Sequence, residues 1–307
     1  KPDYAEARQN LHAVKKKAVP AWHLSMMNDK PRNTAYLNAL KLAIGENDFV
    51  LEIGTGSGLL SMMAANFGAE NITTCESSET IAKVAKKIIQ KNGYGEKISV
   101  INKKSTDLII GEDLPKKADV VVSEILSAEF VGEGVRSTIV DANRRLIKKN
   151  GKMIPEAGEI IIALVEVNEW LQDNISVGTV NGFDLSDFNS LAPSKFIPNL
   201  CQKPTLLSNP KVAFKFDLYD TNDIWKREKV LTLKANGNGL CLGIIQWLRV
   251  QLFKDIEYEN NPGKYLSDST HWPTPIYLFD KAVSVKKGDV LKIRASLDKD
   301  NLWFFKE

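Results

Sequence analysis

Three glutamates stand close together in SEILSAEFVGEG, residues 123–134. The segment follows the apolar run ADVVV, which is typical of a buried strand, so the carboxylates begin where the strand ends. Carboxylates directly after a buried strand are expected to pair with a positive charge, because burying an unpaired charge is costly. The alternative is that they form a solvated acidic turn. The sequence therefore predicts that Glu124 and Glu133 bind a cation and that Glu129, between them, faces solvent.

Three glycines follow another apolar strand in VLEIGTGSGLL, residues 50–60. Gly54, Gly56 and Gly58 stand between this strand and a predicted helix, where residues without a Cβ let the backbone approach a ligand closely. The spacing G-x-G-x-G is one residue tighter at its end than the dinucleotide pattern G-x-G-x-x-G. The loop indicates ligand binding, and the alternative is a tight strand-to-helix turn that binds nothing.

An acidic residue stands at the end of the next strand, about 20 residues beyond the glycines. Glu76 in TTCESS is placed to accept both hydroxyls of a ribose, with a surface carboxylate as the alternative. After the third strand, Ser105 and Thr106 in KKSTDL are placed to pass beside an adenine ring. These features indicate a nucleoside ligand. The lysine–serine ending of a phosphate-binding loop is missing, which favours S-adenosylmethionine over NAD or ATP.

The composition is that of an ordinary globular protein of 307 residues, with 43% hydrophobic and 26% charged residues. The net charge of +3 is spread along the chain, and the basic run at residues 15–17 indicates a solvated helix face rather than a nucleic-acid site. The three cysteines lie far apart without metal-ligand spacing, which favours reduced thiols and no metal. Without a signal peptide or a membrane-spanning apolar stretch, we expect a cytoplasmic or nuclear location.

The pattern of predicted elements divides the chain into three parts. Residues 1–45 are predicted to be helical, and residues 46–154 alternate strands and helices, which is typical of a parallel sheet covered by helices. Residues 155–307 contain short strands separated by Gly, Asn and Pro, the pattern of a β-sandwich or barrel. Pro155 is the predicted boundary. Residues 168–205 fit neither pattern and are predicted to be an insertion of loops and short helices.

The acidic segment, taken with these features, resembles the double-glutamate loop of the protein arginine N-methyltransferases. Thr270, His271 and Trp272 in STHWP are similar to the threonine–histidine–tryptophan loop of the same family. The resemblance covers nearly the whole chain, with its short motifs in the family's order. It implies an α/β fold, with a Rossmann-like S-adenosylmethionine-dependent methyltransferase domain followed by a β-barrel substrate domain, and an N-terminal helical segment that covers the cofactor.

The segment WHLSMMNDKPRNTAY resembles the family's cofactor-covering motif, which implies that Arg32 pairs with the methionyl carboxylate of the cofactor. LEIGTGSGLLSMMAA, GEGV and GKMIPEAG resemble the subfamilies numbered seven and nine, and PAWHLSMMND favours nine. Those subfamilies usually place an aspartate where this chain has Ser127. The implied cofactor-binding residues are His23, Met26, Arg32, Glu52, Gly54, Gly56, Gly58, Glu76, Ser105 and Thr106. The implied catalytic residues are Glu124, Glu133 and His271. The implied substrate-channel residues are Trp272 and Ser127.

A guanidinium substrate would explain why two carboxylates share one site. The group is planar and presents N–H donors in a fork that fits carboxylates, but its delocalised charge makes its nitrogens poor nucleophiles. Glu124 and Glu133 on two edges would orient it and leave one nitrogen with a more available lone pair toward the donor methyl. Methyl transfer is an in-line displacement, so its rate depends on positioning and electrostatics. His271 either supports its loop by hydrogen bonding or also relays the proton.

Two other functions stay open at this point. A small-molecule methyltransferase would keep the cofactor motifs, and an inactive scaffold would use the fold to bind a partner. The resemblance implies arginine-containing substrate proteins, no nucleic-acid partner, and a product of monomethylarginine followed by symmetric dimethylarginine. It also implies a dimer, or a pseudo-dimer with a second methyltransferase module, made by an arm in the barrel domain. Residues 168–205 are the candidate arm.

Overall fold

The computed structural model describes residues 4–10, 19, 22–132, 134–166, 173, 175–197, 204–222, 226–264, 271–298 and 301–307. Two predicted site residues, Glu133 and Thr270, lie outside these ranges. The predicted arm is described at residues 173, 175–197 and 204–205.

Residues 22–43, directly before the first sheet, are largely helical. The helix Trp22–Asn28 is followed by the helix Lys30–Ala43, which has Asp29 as its N-cap. The Asp29 carboxylate accepts the backbone N–H of Arg32 at 3.0 Å, which satisfies one of the unpaired donors of the first turn. Pro31 occupies the same turn, where its missing N–H costs no helical hydrogen bond. None of the described helices is long and apolar enough to cross a membrane.

Five strands form a parallel sheet in the order β3-β2-β1-β4-β5. The central strand β1 is buried along its whole length, because helices cover both faces of such a sheet. The strand order changes direction between β1 and β4, and open α/β sheets bind ligands at such a point. The strands are β1 Phe49–Ile53, β2 Asn71–Cys75, β3 Ile98–Ile101, β4 Ala118–Ser123 and β5 Ile147–Ile154.

The helices Leu59–Asn66 and Glu79–Lys91 connect the first three strands. The second of them is amphipathic, and its N-cap is Ser78, whose hydroxyl accepts the N–H of Ile81 at 3.4 Å. A helix at Val135–Asp141, continued by a π-helical turn at Ala142–Leu146, was missed by the sequence analysis. Its first turns are rich in β-branched residues with low helix propensity, so burial in the core decides its conformation.

Antiparallel sheets contain most of the described residues after Pro155. Strand β13 lies at the centre of a seven-stranded sheet that runs β10-β6-β13-β15-β9, with β11 paired to β6 and β14 paired to β13. A three-stranded sheet runs β12-β16-β17, and β7 and β8 form a hairpin. The strands are β6 Ala157–Glu166, β7 Thr179–Val180, β8 Phe183–Asp184, β9 Lys195–Phe196, β10 Thr205–Leu206, β11 Lys211–Asp217, β12 Arg227–Lys234, β13 Gly239–Phe253, β14 Ile256–Glu259, β15 Ile276–Val285, β16 Val290–Asp298 and β17 Asn301–Lys306.

The change from parallel to antiparallel sheet falls between Ile154 and Ala157, on either side of Pro155. The predicted architecture is confirmed: a Rossmann-like parallel-sheet domain, an antiparallel barrel-like domain and N-terminal helices. The predicted domain limits at residues 45, 154 and 307 stay predictions.

The residues after β4 lie where the two kinds of sheet meet. The ring of Phe130 stacks on Phe216 of β11 with centroids 4.4 Å apart, and both residues belong to one continuous hydrophobic core. A Cβ on Gly158 of β6 would lie 2.0 Å from the Phe130 ring, so only glycine leaves room for it. The acidic loop, residues 124–134, is therefore packed against the antiparallel domain although it begins in the parallel sheet.

Candidate active site

The ends of three neighbouring strands bring the predicted site residues together. Ile53 at the end of β1 is in register with Cys75 of β2 and with Ser123 of β4. Gly54, Glu76 and Glu124 are the next residues of those strands, so they lie side by side at the carboxyl edge of the sheet. This edge includes the point between β1 and β4 where the strand order changes direction.

A cavity of about 570 Å³ opens at this edge. The volume lies within the range of about 300–1,000 Å³ that is typical of small-molecule sites. The rings of Trp22 and His23 stack 3.9 Å apart and line the cavity. Both residues belong to the helix Trp22–Asn28, which therefore lies over the cavity. The predicted residues in its lining are His23, Met26, Gly54, Gly56, Glu76, Ser105, Thr106 and Glu124.

The three glycines of the glycine loop, residues 54–58, differ in what they do. All three have left-handed φ angles, of 85°, 51° and 80° in chain order. Gly54 and Gly56 line the cavity, and a Cβ on Gly56 would meet no atom within 4 Å. A Cβ on Gly58 would lie 2.8 Å from the side chain of Ile89. Gly58 therefore allows close packing between helices, while its predicted cofactor contact stays a prediction.

The Glu76 carboxylate is fixed at the rim of the cavity by backbone N–H groups. Gly56 donates to its Oε2 at 3.2 Å and Ser78 donates to its Oε1 at 2.9 Å. A carboxylate oxygen has a second lone pair, so both oxygens can still accept a ligand hydroxyl. The glycine loop and the acid predicted to bind a ribose thus form one hydrogen-bonded unit.

Glu52 lies beneath the glycine loop and is 1% exposed. Burial raises its pKa to about 7, and hydrogen bonds from the hydroxyls of Ser61 and Thr74 limit the increase. Glu52 lines a separate hollow of about 30 Å³ that shares Gly54 and Gly56 with the large cavity. Its contacts support the loop from below, and its predicted contact with the cofactor stays a prediction.

Arg32 and Glu124 form a buried ion pair. Nη1 of Arg32 donates to Oε2 of Glu124 at 2.7 Å, with side-chain exposures of 4% and 8%. Its Nη2 and Nε donate to Oδ1 of Asn33 at 2.8 and 3.3 Å. Arg32 was predicted to bind the cofactor and Glu124 the substrate. The pair joins these two predicted sites directly.

Asp29 holds His271 in place beside Glu124. Oδ2 of Asp29 accepts the backbone N–H of His271 at 3.0 Å, lies 3.1 Å from its Nδ1, and accepts the hydroxyl of Tyr258 at 3.0 Å. Burial acts to raise the pKa of Asp29, but the hydrogen bonds, that from His271 first, bring it below its usual value. An ionised Asp29 is an acceptor, so Nδ1 of His271 is the donor in this contact.

Nε2 of His271 lies 3.9 Å from Oε1 of Glu124. The sequence analysis identified His271 but assigned Asp29 no role at the site. The contact that gives Asp29 its role joins two residues 242 positions apart, so no local pattern shows it. The only local signal is that Asp29 stands three residues before Arg32. Asp29, Glu124 and His271 therefore form a polar cluster drawn from three separate parts of the chain.

The predicted channel residues hold the acidic loop in shape. Trp272 is buried, and its indole N–H donates to the carbonyl of Leu126 at 3.1 Å. The hydroxyl of Ser127 donates to the carbonyl of Val131 and accepts the N–H of Glu129 at 3.3 Å. Their contact with a substrate stays a prediction, as does the catalytic role of Glu133.

The prediction that Glu129 faces solvent is wrong. Its side chain is 21% exposed, its carboxylate accepts Nζ of Lys195 at 3.0 and 3.1 Å, and it also accepts the hydroxyl of Tyr277. Both partners come from the antiparallel domain. Sequence reasoning could not see them, because neither residue belongs to a recognisable motif.

Arg145 is a second residue that the sequence analysis missed. Its guanidinium donates to the carbonyls of Ser105, Thr106 and Leu108 at 3.3, 3.1 and 2.8 Å, and it is held by Asp141 at 2.6 Å. The short 3₁₀ turn Ser105–Asp107 is thereby fixed at the wall of the cavity. The turn that was predicted to pass beside an adenine thus depends on a side chain some 40 residues later.

Two family models match consecutive parts of the chain. Residues 32–160 match the model described as ribosomal protein L11 methyltransferase (PrmA). Residues 156–305 match the arginine methyltransferase oligomerization subdomain. The two matches meet beside Pro155, where the parallel sheet gives way to the antiparallel sheets.

Similar proteins include the arginine N(omega)-methyltransferase of Streptomyces achromogenes subsp. streptozoticus, 35% identical over 283 residues, with 92% of this chain and 77% of that protein covered. Protein arginine N-methyltransferase 7 of Gallus gallus is 28% identical over 312 residues, with 92% and 45% covered. This chain thus spans under half the length of the Gallus gallus protein.

A solved structure, the Trypanosoma brucei PRMT1 enzyme–prozyme heterotetrameric complex with AdoHcy, has the same fold. It is 19% identical, with a TM-score of 0.79 over 95% of this chain and 98% of that chain. The identity to the Streptomyces protein, over most of both chains, is high enough to show common ancestry as well as a common fold. The chain belongs to the protein arginine N-methyltransferase family.

Proposed function

We propose that this chain transfers a methyl group from S-adenosylmethionine to a guanidinium nitrogen of arginine in substrate proteins. The assignment depends on Glu124, a buried carboxylate at the end of β4 that lines the cavity and binds a guanidinium, that of Arg32, at 2.7 Å. A planar cation with forked N–H donors is therefore a group that this carboxylate accommodates. The arginine methyltransferases among the similar proteins support the same reaction.

The described residues fit S-adenosylmethionine. The cavity of about 570 Å³ suits a nucleoside with a short side chain, and the open space beside Gly56 is what a ligand close to the backbone needs. Glu76 at the rim would accept the ribose hydroxyls, and the turn at Ser105 and Thr106 would lie beside the adenine. Arg32 uses three of its five N–H donors on Glu124 and Asn33 and would bind the methionyl carboxylate with the others.

S-adenosylmethionine, when bound, supplies an electrophilic methyl group on a positively charged sulfur. Glu124 would hold one edge of the substrate guanidinium and compensate its positive charge next to that sulfur. Because Glu124 lines the cavity, it would hold the substrate nitrogen next to the space that the cofactor would occupy. Glu133 would hold the other edge, as the family resemblance implies.

His271 would accept the proton that the guanidinium loses. With Nδ1 donating to Asp29, a neutral imidazole would offer the lone pair of Nε2, which lies 3.9 Å from Oε1 of Glu124. A substrate nitrogen held by Glu124 would lie within reach of this lone pair. Because the guanidinium loses its proton as or after the methyl arrives, a weak base is sufficient.

Methyl transfer onto matched acceptors tests the function. Purified protein is incubated with methyl-labelled S-adenosylmethionine and an arginine-rich peptide, the same peptide with lysine at each arginine, or free L-arginine. We expect label on the arginine peptide and none on the lysine peptide. Label on free arginine alone would replace the proposed substrate with a small molecule. No label on any acceptor, with cofactor binding intact by calorimetry, would point to a scaffold and refute the proposal.

We further infer that the product is monomethylarginine, followed by some symmetric dimethylarginine. The motifs that resemble subfamilies seven and nine support this, with PAWHLSMMND favouring nine, and the similar Gallus gallus protein bears the number seven. Mass spectrometry with fragmentation that separates the two dimethyl isomers tests the product. A dominant asymmetric dimethylarginine would reject the subfamily assignment and leave arginine methylation intact.

We also infer that two modules assemble, with a second copy of this chain as the partner. Residues 156–305 match an oligomerization subdomain, and residues 176–197 expose several large apolar side chains to solvent. Phe183, Phe188 and Leu191 are the most exposed of these, at 72%, 69% and 73%. Light scattering should give a dimer mass for the wild type and a monomer mass for Phe183→Ser with Leu191→Ser. A monomeric wild type would contradict the inference.

A further inference from the structure

Glu129 lies in the middle of the acidic loop, and the described contacts of its carboxylate all come from the antiparallel domain. Lys195 of β9 donates to both of its carboxylate oxygens, at 3.0 and 3.1 Å, and the hydroxyl of Tyr277 in β15 donates to Oε1. Tyr277 is buried, with 1% of its surface exposed. A half-buried carboxylate with a cation and a buried hydroxyl as partners is a built contact rather than a chance surface pair.

The two partners are themselves held in place. Lys195 and Tyr277 are directly opposite each other in the β9–β15 ladder. The ammonium of Lys195 lies 5.5 Å from the ring centroid of Trp303 and 5.9 Å from that of Tyr277, and the Tyr277 ring meets Phe304 edge to face at 4.9 Å. Burial and the nearby carboxylate raise the pKa of Tyr277, so its hydroxyl keeps its proton and donates.

The backbone beside Glu129 is held by the same domain. The indole of Trp272 donates to the carbonyl of Leu126 at 3.1 Å, and the amide of Gln246 donates to the carbonyl of Ala128 at 3.1 Å. Phe130, next in the chain, has a left-handed φ of 67°, which a residue with a Cβ adopts only when its surroundings hold it there. The conformation of the acidic loop is thus set by side chains that reach it from outside.

Lys195 also connects the loop to the exposed apolar segment. Strand β9 follows directly on residues 176–194, which contain Phe183, Phe188 and Leu191, and the N–H of Leu278 in β15 donates to the carbonyl of Ser194 at 2.9 Å. A displacement of that segment would therefore move Lys195, and with it the carboxylate of Glu129. Glu129 stands five positions after Glu124 in the same loop.

We propose that Glu129, Lys195 and Tyr277 form a positioning junction that fixes the acidic loop, and with it Glu124, in the geometry needed for methyl transfer. None of the three touches the substrate; they act by holding the loop, and Lys195 makes its position depend on the segment 176–194. This inference deepens the proposed function and rests on it for its kinetic test. A second measurement on the loop itself does not depend on activity.

The kinetic test compares Glu129→Gln, Lys195→Met and the double variant with the wild type. Both single changes keep the shape of the side chain and remove one charge of the pair. We expect kcat to fall about tenfold in each single variant and no further in the double variant, because the two residues act through one contact. The Km for the peptide and the Kd for S-adenosylmethionine should stay within about twofold of wild type, because neither ligand loses a contact.

Lys215→Met is the matched control. Lys215 pairs with Glu159 at 2.6 Å on the same domain, but its side chain is 74% exposed and has no described contact with the acidic loop, so its loss should leave kcat unchanged. Thermal unfolding confirms that each variant is folded. Raised Km with unchanged kcat in Glu129→Gln would overturn the proposal in favour of direct substrate contact. Unchanged kinetics in both single variants would also overturn it.

Amide hydrogen exchange measures the loop directly. We expect peptides that cover residues 126–131 to exchange at least about fivefold faster in Lys195→Met than in the wild type or in Lys215→Met, because local opening follows the loss of anchoring contacts. Equal exchange in all three proteins would refute the junction even if the enzyme is active. Faster exchange in a protein that methylates no arginine would uphold the junction and refute the proposed function alone.

Discussion

The glycine loop and the acidic loop leave neighbouring strands at the same edge of the parallel sheet, but they are held in different ways. The N–H groups of Gly54 and Thr55 both donate to the carbonyl of Cys75, at 3.0 and 3.1 Å, and Gly56 donates to the carboxylate of Glu76. Every one of these partners lies in β1, in β2 or directly after them. The glycine loop is therefore held by residues within one short stretch of the parallel sheet.

The acidic loop depends on parts of the chain that are distant in sequence. Glu124 pairs with Arg32 across 92 positions, and Trp272 reaches Leu126 across 146 positions. These contacts join the N-terminal helices, the parallel sheet and the antiparallel domain. Changes near the glycine loop should therefore act on cofactor affinity, whereas changes around the acidic loop should act on the rate of methyl transfer.

The largest effect should come from Glu124→Gln. The substitution keeps the shape of the side chain but removes the charge that orients and compensates a guanidinium, so we expect kcat to fall by about 100-fold or more. Binding of S-adenosylmethionine, measured by calorimetry, should be retained. Glu133→Gln should behave alike.

Glu70→Gln is the control for Glu124→Gln, because Glu70 forms an exposed pair with Lys97 at 3.0 Å. This variant should show wild-type turnover. Near-normal kcat in both Glu124→Gln and Glu133→Gln would contradict the idea that these carboxylates clamp the substrate.

Glu76→Ala tests the other half of the comparison. A hydrogen bond to an ionised acceptor contributes about 1.5–3 kcal/mol, so we expect the Kd of S-adenosylmethionine to rise by about 10- to 150-fold in titration calorimetry. The kcat at saturating cofactor should change little, because Glu76 lies on the cofactor side. The exposed Glu112→Ala serves as control. An unchanged Kd would show that Glu76 does not bind the ribose.

Glu52→Gln should change how stability depends on pH. The pKa of Glu52 is raised from 4.5 to about 7, so the folded protein binds this proton more tightly than the unfolded chain does. The resulting stability is complete below pH 4.5 and is lost as the pH rises through 7. A pKa change of this size corresponds to about 3 kcal/mol in the free energy of unfolding. Over the measured pH range we expect the wild type to lose about 1–3 kcal/mol of stability, a loss that the variant should not show. Denaturant unfolding between pH 4.5 and 8 measures it, and parallel curves would disprove it.

Asp29→Asn should give a smaller effect of opposite sign. The pKa of Asp29 is lowered from 3.8, so its stabilising contribution is present above pH 3.8 and is lost as the pH falls through the folded value. In thermal unfolding between pH 3 and 6, the wild type should lose more stability than the variant as the pH falls. Because Asn no longer fixes the proton on Nδ1 of His271, kcat should also fall about tenfold. Equal acid sensitivity and equal kcat would reject this role of Asp29.

Local sequence was sufficient to predict the elements that carry the cofactor side. Apolar runs followed by Gly54, Glu76 and Glu124 indicated strands that end at one edge, and β1, β2 and β4 end there. A strand is set by residues that are neighbours in sequence, and parallel strands place their carboxyl ends together. The helix after the acidic loop was missed, because its β-branched residues carry little local helix signal.

The sequence by itself determined the strand-end residues, the glycine loop and the order of the two sheets, since each depends on patterns a few residues long. Only the tertiary structure decided which distant groups meet: Arg32 with Glu124, Asp29 with His271 across 242 positions, and Lys195 with Glu129. The prediction for Glu129 was wrong for the same reason. Burial and charge pairing are properties of the packed chain, and spacing along the sequence carries no information about which side chains packing brings within hydrogen-bond distance.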